Sequence, residues 1–436
     1  MDTRISKFEN INHSSPLRYA GCDSTAEIRY RSDTDAVRIF PCITDDHNDA
    51  ESAFERAGPR ALISGAPEKM TAAILTCGGL CPGLNDVIRG LVMSLSHHYG
   101  VPRILGIRYG YAGLTDAGLP PEELTPDSVD EIHRDGGTML GTSRGAQKVG
   151  EMADWILEQG ISQLFVIGGD GTQRGALELS QELLRRDEPV SVIGIPKTID
   201  NDIMWVDQSF GYDTAVEIAA RVISDAHVEA RSTERGVGIV KVMGRDSGFI
   251  AAGAAIASLE ANVVLVPEVE FDFDGPNGLL AYLEERLERK DHAVIVVAEG
   301  AGQRHFKQQG REDKDASGNV LHHDIGELLC ERIQQHFQAL EKPVKLKYLD
   351  PGYSVRSAPA CATDRIYCTR LAHAAVHAAM AGRTGMMVSR WSGHYVHVPL
   401  ELVTKGRRKI NPAGSLWRTV LEATGQPCLQ YDAGEN

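Results

Sequence analysis

The sequence predicts an α/β protein made of two doubly wound parallel-sheet domains facing each other, preceded by an N-terminal extension. Three observations lead there. Short continuous apolar runs such as Leu164–Ile167 and Ala293–Ala298 recur along the chain, and strands that are apolar on both faces suit a sheet covered by helices on both sides. Several of these runs end in glycine-rich turns and lead into amphipathic stretches, the alternation of βα units. At 436 residues the chain is also long enough for two or three separate cores.

Residues 1–69 are polar with no sustained period and read as the extension, with a short hairpin around Ile28–Ile43. From Thr71 the texture changes. Strands are expected at Ala72–Thr76, Arg103–Arg108, Leu164–Ile167, Val190–Ile195, Gly238–Val242, Val263–Val266, Ala293–Ala298 and Val344–Leu349. Helices are expected at Gly83–His97, Thr172–Arg185, Asp213–Ala230, Ser247–Ser258, Gly278–Arg289, Gly326–Gln338 and Asp364–Ala381. The charged, glycine-containing stretch Gln303–Gly318 reads as an exposed loop, and the tail beyond Lys405 is left unassigned.

With 60 Asp and Glu against 45 Lys and Arg, the formal charge is −15. Such a surface repels polyanions and argues against sequence-independent nucleic-acid binding. An anionic phosphate substrate must then be met by arginines concentrated locally against the global field. No apolar run approaches the roughly 18–20 residues that span a bilayer, so no membrane partner is expected. The opening MDTRISKFENINHSS lacks the apolar core of a secretory signal, and the final Ala-Gly-Glu-Asn is not a peroxisomal address. Eight cysteines form no disulfide framework, and Cys77 and Cys81 flank a glycine-rich loop without a second metal-ligand pair. Reduced thiols and a cytoplasmic location are expected.

Ligands of open α/β sheets bind at the carboxyl ends of strands, and the informative residues lie there. Gly168-Gly169-Asp170-Gly171-Thr172 follows a strand and opens a helix. Its backbone N–H groups and the helix N-terminus favour a phosphate, and Asp170 is placed to hold Mg²⁺. The same turn is compatible with a plain helix start capped by Asp. Cys77-Gly78-Gly79-Leu80-Cys81-Pro82-Gly83 repeats the arrangement, and Gly136–Arg144 is a third glycine-rich stretch, ending in an arginine suited to phosphate oxygens. GxxxxGK[ST] is absent, which argues against a P-loop fold. Pro196-Lys197-Thr198-Ile199-Asp200-Asn201-Asp202 places two carboxylates at a strand mouth, where one can act as general base. Arg245 in Met243-Gly244-Arg245, Arg356 after Tyr353, and Arg365 supply the local positive charge the acidic chain requires.

In order, GGLCPGLNDVIRG, GGTMLGTSR, GGDGT, PKTIDND, GYDTA, KVMGRDSGFIA, AEG and DPGYSVRSAP followed by DR resemble the motifs of the phosphofructokinase family, over about residues 71 to 385. The resemblance implies phosphoryl transfer from ATP to the 1-hydroxyl of fructose 6-phosphate, assisted by Mg²⁺. It implies a nucleotide-binding domain over 70–212 plus about 366–385, a fructose 6-phosphate domain over 213–365 and a C-terminal segment over 386–436. Asp200 is then the general base, with Asp202 beside it, Thr198 on the transferring or sugar side, and Lys197, Arg144 and Arg245 completing the catalytic set. Gly78, Gly79, Gly169, Gly171, Thr172, Gly175 and Arg144 line the donor site, with Asp170 on Mg²⁺. Met243, Gly244, Arg245, Glu299, Tyr353, Arg356 and Arg365 bind the sugar phosphate. Arg235 is implied as an arginine lent across a subunit interface in a homotetramer or dimer, although its spacing to Met243 is shifted by about one residue from the short bacterial enzymes.

Two positions bear on the donor. Pyrophosphate users of the family carry an Asp where this chain has Gly171, and Gly171 leaves room for a nucleotide. Lys197 is the residue those same enzymes carry where short bacterial ATP enzymes have Gly. The carboxylate excludes ATP by sterics and charge, whereas a lysine can serve either donor, so ATP is expected and pyrophosphate is the alternative. The resemblance also places Arg89 at one effector arginine of the short bacterial enzymes and Met93 at the other, which implies that their nucleotide-diphosphate control is absent or rebuilt. Two further readings are an NAD or lipid kinase, resting on GGDGT alone, and a catalytically silent sugar-phosphate-binding regulator, which loss of Asp200, Asp170 or Arg245 would signal.

Overall fold

The computed structural model describes residues 1–17, 30–40, 52–306 and 322–430. It divides into two units. The first comprises Met1–Thr198, Ile203–Gly211 and Ser357–Arg407, and the second Ile199–Asp202, Tyr212–Arg356 and Arg408–Asn436.

The first unit is built on a nine-stranded sheet. Its order is Ala36–Arg38, Ala53–Arg56, His394–Pro399, Met386–Trp391, Ser191–Pro196, Gln163–Gly168, Thr71–Thr76, Arg103–Ile107 and Glu122–Glu123. The five strands from Met386–Trp391 to Arg103–Ile107 are mutually parallel, and antiparallel strands finish both edges. Thr71–Thr76 and Gln163–Gly168 are buried throughout, as their apolar centres Ala72–Leu75 and Leu164–Ile167 require. Helix Leu84–Met93, continued by a π-helical turn Ser94–Tyr99, packs against helix Ala362–Met380. Helices Val149–Glu158 and Asp170–Arg185 pack together, contributing Trp155, Ile156, Leu179 and Leu183 to one apolar cluster.

The second unit holds a fully parallel four-stranded sheet in the order Val263–Leu265, His292–Ala298, Gly236–Val242 and Lys345–Leu349. Helices Tyr212–Arg231 and Phe249–Ser258 pack on each other and on this sheet. Leu279–Lys290 and Ile325–Ala339 bury Leu283, Leu287, Leu329 and Ile333 against Phe271 and Phe273.

The extension is an integral part of the first unit. Ala36–Arg38 pairs with Ala53–Arg56, which in turn pairs with His394–Pro399. Residues 28, 29 and 41–43 of the expected hairpin lie outside the described residues. Behind this edge Arg383 is buried and meets Glu55 and Asp33, while Arg60 Nη2 donates to Glu55 Oε1 at 2.6 Å. Burial opposes ionisation of Glu55. The neighbouring His397 and the charges of Arg383 and Arg60 outweigh it and bring the carboxyl to about 2.

Several elements escaped the hydrophobic pattern, helix Val149–Glu158 among them. Met386–Trp391 and His394–Pro399 form a hairpin closed by Ser392 and Gly393, both at positive φ, as a two-residue hairpin turn demands. In the tail, Ser415–Thr424 is a helix. Of Gln303–Gly318, the start is a short 3₁₀ turn and 307–318 lies outside the described residues.

Candidate active site

In the first unit the chain runs from Thr71–Thr76 out to Arg103–Ile107, then returns to Gln163–Gly168 on the opposite side. Strand order reverses between Thr71–Thr76 and Gln163–Gly168, the place where doubly wound sheets bind ligands. The loops that leave these two strands carry Gly78, Gly79 and Gly169–Thr172. Main-chain bonds fasten them together. Cys77 N–H donates to Ile167 O at 3.0 Å, Gly78 N–H to Ser143 O at 3.2 Å and Lys197 N–H to Gly168 O at 3.1 Å. Thr142 Oγ1 donates to Gly78 O at 2.6 Å and Thr76 Oγ1 to Gly141 O at 2.7 Å, which draws in the stretch leading to Arg144.

Gly78 has φ +87°, a conformation natural to glycine. A Cβ at Gly78 would stand 3.7 Å from Lys197 Nζ, and one at Gly79 would stand 3.8 Å from Arg144 Nη2. Two cations thus flank two bare peptide units, an arrangement suited to phosphate oxygens. Gly175 has a packing reason for being glycine, since a Cβ there would come within 2.8 Å of the Tyr111 ring. Tyr111 is buried and donates from its hydroxyl to Thr172 O at 2.6 Å. Gly171 has no such reason: a Cβ there would meet nothing within 4 Å.

Asp170 opens its helix. Its Oδ2 accepts from Arg174 Nη2 at 2.9 Å and from Arg407 Nε at 3.4 Å. Its Oδ1 is buried with no hydrogen-bond partner among the described residues. Mg²⁺ takes one or two carboxylates and completes its octahedron with water and substrate phosphates, so a buried orphan oxygen at a phosphate-binding turn fits it. No group of three or more His, Cys, Asp or Glu among the described residues could hold a metal. An ion here would draw its other ligands from phosphate and water.

In the second unit the order reverses at Gly236–Val242, with Val263–Leu265 and His292–Ala298 on one side and Lys345–Leu349 on the other. Met243, Gly244 and Arg245 leave the first of these strands, and Pro351–Arg356 follows the last. Glu299 N–H donates to Val242 O at 3.0 Å and Gly300 N–H to Gly244 O at 3.1 Å, locking the Ala-Glu-Gly and Met-Gly-Arg turns together. A Cβ at Gly300 would overlap Arg245 O. Burial pushes the Glu299 carboxyl up, while the charges of Arg245, Lys241 and Arg356 pull it down, so three cations surround this turn. The Arg356 guanidinium lies over the exposed Tyr353 ring, 4.6 Å from its centroid.

Asp200 and Asp202 belong to the same unit. Ser247 Oγ donates to Asp200 O at 3.0 Å and Arg408 N–H to Asp202 O at 2.8 Å. Asn201 between them is left-handed, φ +55°, which Asn tolerates better than most residues.

The phosphofructokinase family model matches residues 71–379. The chain belongs to the phosphofructokinase family. It is 50% identical over 381 residues to the ATP-dependent 6-phosphofructokinase of Borreliella burgdorferi, covering 86% of this chain and 85% of that protein. It is 53% identical over 381 residues to the ATP-dependent 6-phosphofructokinase of Amycolatopsis methanolica, covering 86% and 83%. Among solved structures, the pyrophosphate-dependent phosphofructokinase of Marinobacter aquaeolei superposes with a TM-score of 0.68 at 22% identity, over 84% of this chain and 94% of that one. At that identity the likeness is one of fold.

Against this family frame, the first unit holds Gly78, Gly79, Arg144, Gly169, Asp170, Gly171, Thr172, Gly175, Lys197, Thr198 and Arg365. The second holds Asp200, Asp202, Arg235, Met243, Gly244, Arg245, Glu299, Tyr353 and Arg356. Arg365 lies 4.0 Å from the buried Asp86 carboxylate. Arg235 stands apart from its own chain's Met243: it precedes Gly236–Val242, about 23 Å of strand away. Its N–H donates to Asp291 Oδ1 at 3.0 Å, and its guanidinium lies 5.5 Å from the Phe337 ring centroid. Sequence reasoning missed Tyr111 and Arg407. The glycine-rich Arg-Tyr-Gly-Tyr-Ala-Gly turn after Arg103–Ile107 signals the first, and nothing local signals the second.

Proposed function

We propose that this phosphofructokinase transfers the terminal phosphoryl group of ATP to the 1-hydroxyl of fructose 6-phosphate. The observation that carries the donor choice is Gly171. No packing demand explains a glycine in the first turn of that helix, and the relatives at 50% and 53% identity bear the name ATP-dependent.

Asp200 accepts the proton of the sugar 1-hydroxyl as its oxygen bonds to the terminal phosphorus, and the bond to the ADP oxygen breaks. Arg144 and Lys197, beside Gly79 and Gly78, draw the charge of the transferring and leaving oxygens. Thr198 and Asp202 flank the base. Asp170 holds Mg²⁺, which supplies further charge neutralisation when bound with ATP. Met243, Gly244, Arg245, Glu299, Tyr353, Arg356 and Arg365 form the sugar-phosphate side. Arg235 serves a neighbouring subunit in a homotetramer or dimer, which its place at the far end of the strand from Met243 supports. Arg89 donates to Asp130 O at 3.0 Å and pairs with its carboxylate at 3.2 Å, in keeping with rebuilt effector control. No helix among the described residues is long and apolar enough to cross a membrane, and we place the enzyme in the cytoplasm.

Lys197 in the donor cradle keeps pyrophosphate as the second reading. Fructose 1,6-bisphosphate formation is measured with fructose 6-phosphate and Mg²⁺, ATP and pyrophosphate side by side. Turnover with ATP alone is expected. Turnover with pyrophosphate alone reverses the donor assignment, and turnover with neither shifts the weight to a regulator that binds sugar phosphate.

A further inference from the structure

The run Lys405-Gly406-Arg407-Arg408-Lys409 lies beyond the residues matched by the family model and concentrates four cations in an acidic chain. Arg407 has a fixed place in the first unit. Its backbone bridges antiparallel to Ile203, and its side chain is 30% exposed with Nε 3.4 Å from Asp170 Oδ2. Arg174, one turn along the helix from Asp170, holds the same oxygen at 2.9 Å. Two guanidiniums therefore share Oδ2, and Oδ1 is left buried without a hydrogen-bond partner among the described residues.

Arg174 by itself does not enforce that division. A guanidinium fork pairs best with both oxygens of a carboxylate, and Arg174, with 54% of its side chain exposed, has room to turn. A carboxylate held by Arg174 alone can rotate both oxygens into its fork and withdraw Oδ1. Arg407 approaches Oδ2 from outside the helix and opposes that rotation.

We propose that Arg407 is a positioning residue for Asp170, holding the carboxylate so that Oδ1 stays directed at the divalent cation that accompanies the donor phosphates. This rests on the metal role of Asp170 proposed above. Arg407 acts through Asp170, as outer-shell partners of metal ligands do.

Calorimetric titration of the full chain with a non-hydrolysable ATP analogue, with and without Mg²⁺, tests it. The set is wild type, Arg407→Ala, Arg407→Lys, Asp170→Asn and the double variant Asp170→Asn/Arg407→Ala. In wild type Mg²⁺ tightens analogue binding. In Arg407→Ala that gain shrinks about tenfold or more, while affinity without Mg²⁺ is unchanged. Arg407→Lys, a point charge without the fork, shows an intermediate loss, and the double variant loses no more than Asp170→Asn. The inference is overturned if folded Arg407→Ala keeps the full Mg²⁺ gain, if the double variant loses more, or if affinity falls equally without Mg²⁺, the mark of a direct phosphate contact. Should Arg407→Ala not fold, a wild-type gain in Arg407→Lys overturns it. If Asp170→Asn keeps the Mg²⁺ gain, the metal role of Asp170 fails first, a distinct result.

Discussion

In the first unit the donor loops are fixed by main chain and hydroxyls, with Cys77, Gly78 and Lys197 N–H groups and Thr76 and Thr142 hydroxyls tying three turns together. In the second unit the corresponding strand end presents charge: Lys241, Arg245 and Arg356 gather around a half-buried Glu299. Under the roles proposed above, the difference follows from the ligands. A nucleotide's phosphates are recognised by backbone dipoles that need bare glycines, whereas a sugar phosphate on an acidic protein needs concentrated cations. Glycine substitutions should therefore act on the proposed donor side through the shape of the cradle, and charge-removing substitutions on the proposed acceptor side through turnover with the fold intact.

The sharpest test of that division is Asp200→Asn. Asn keeps the size of the side chain and the backbone carbonyl that accepts from the Ser247 hydroxyl, so turnover should fall about 10²–10⁴-fold while the melting temperature holds. Steady-state kinetics and a thermal scan check both halves.

A large effect on folding alone is expected from the buried ion cluster. Glu55→Ala takes one of two carboxylates from Arg383, 1% exposed, and leaves Asp33 as its remaining partner, at a cost of about 1–3 kcal/mol. The acid branch tests the same group. Its folded carboxyl ionises near 2, below the ordinary 4.5, so the unfolded chain takes up a proton first as pH falls. The contribution is complete above 4.5 and is lost toward 2. Urea unfolding across that interval should show a smaller pH slope in the variant.

Gly175→Val should overpack Tyr111 and destabilise by about 1–3 kcal/mol, with a raised KM for ATP because Tyr111 also holds Thr172 O. At the other end of the scale, Gly171→Ala should leave stability unchanged or raise it by up to about 1 kcal/mol. Gly171→Asp is expected to suppress ATP turnover through its charge. Wild-type ATP turnover in that variant would remove Gly171 from the donor choice.

Most of this architecture was legible because the buried strands, Thr71–Thr76 and Gln163–Gly168 among them, are largely apolar and lead into glycine-rich turns. The Met386–Pro399 hairpin was missed because its cue is a Ser-Gly turn between strands that mix polar and apolar residues. The helix Val149–Glu158 was missed because its first turn carries Gly150 and its buried face is only Met152, Ala153, Trp155 and Ile156. Within the site, glycines and charges at strand mouths announce themselves locally. Tyr111 and Arg407 do not, because each owes its role to a partner far along the chain: Thr172 for one, Asp170 for the other.

The pairing of Ala53–Arg56 with His394–Pro399 has a consequence for biosynthesis. During translation this strand, second from the sheet edge, leaves the ribosome long before its neighbour His394–Pro399 exists. More than three hundred residues must be polymerised before the strand can be capped, and until then its polar edge is open to any other nascent chain. Such long-range closure is slow to form, and it makes the N-terminal edge one of the last pieces of the first unit to be completed.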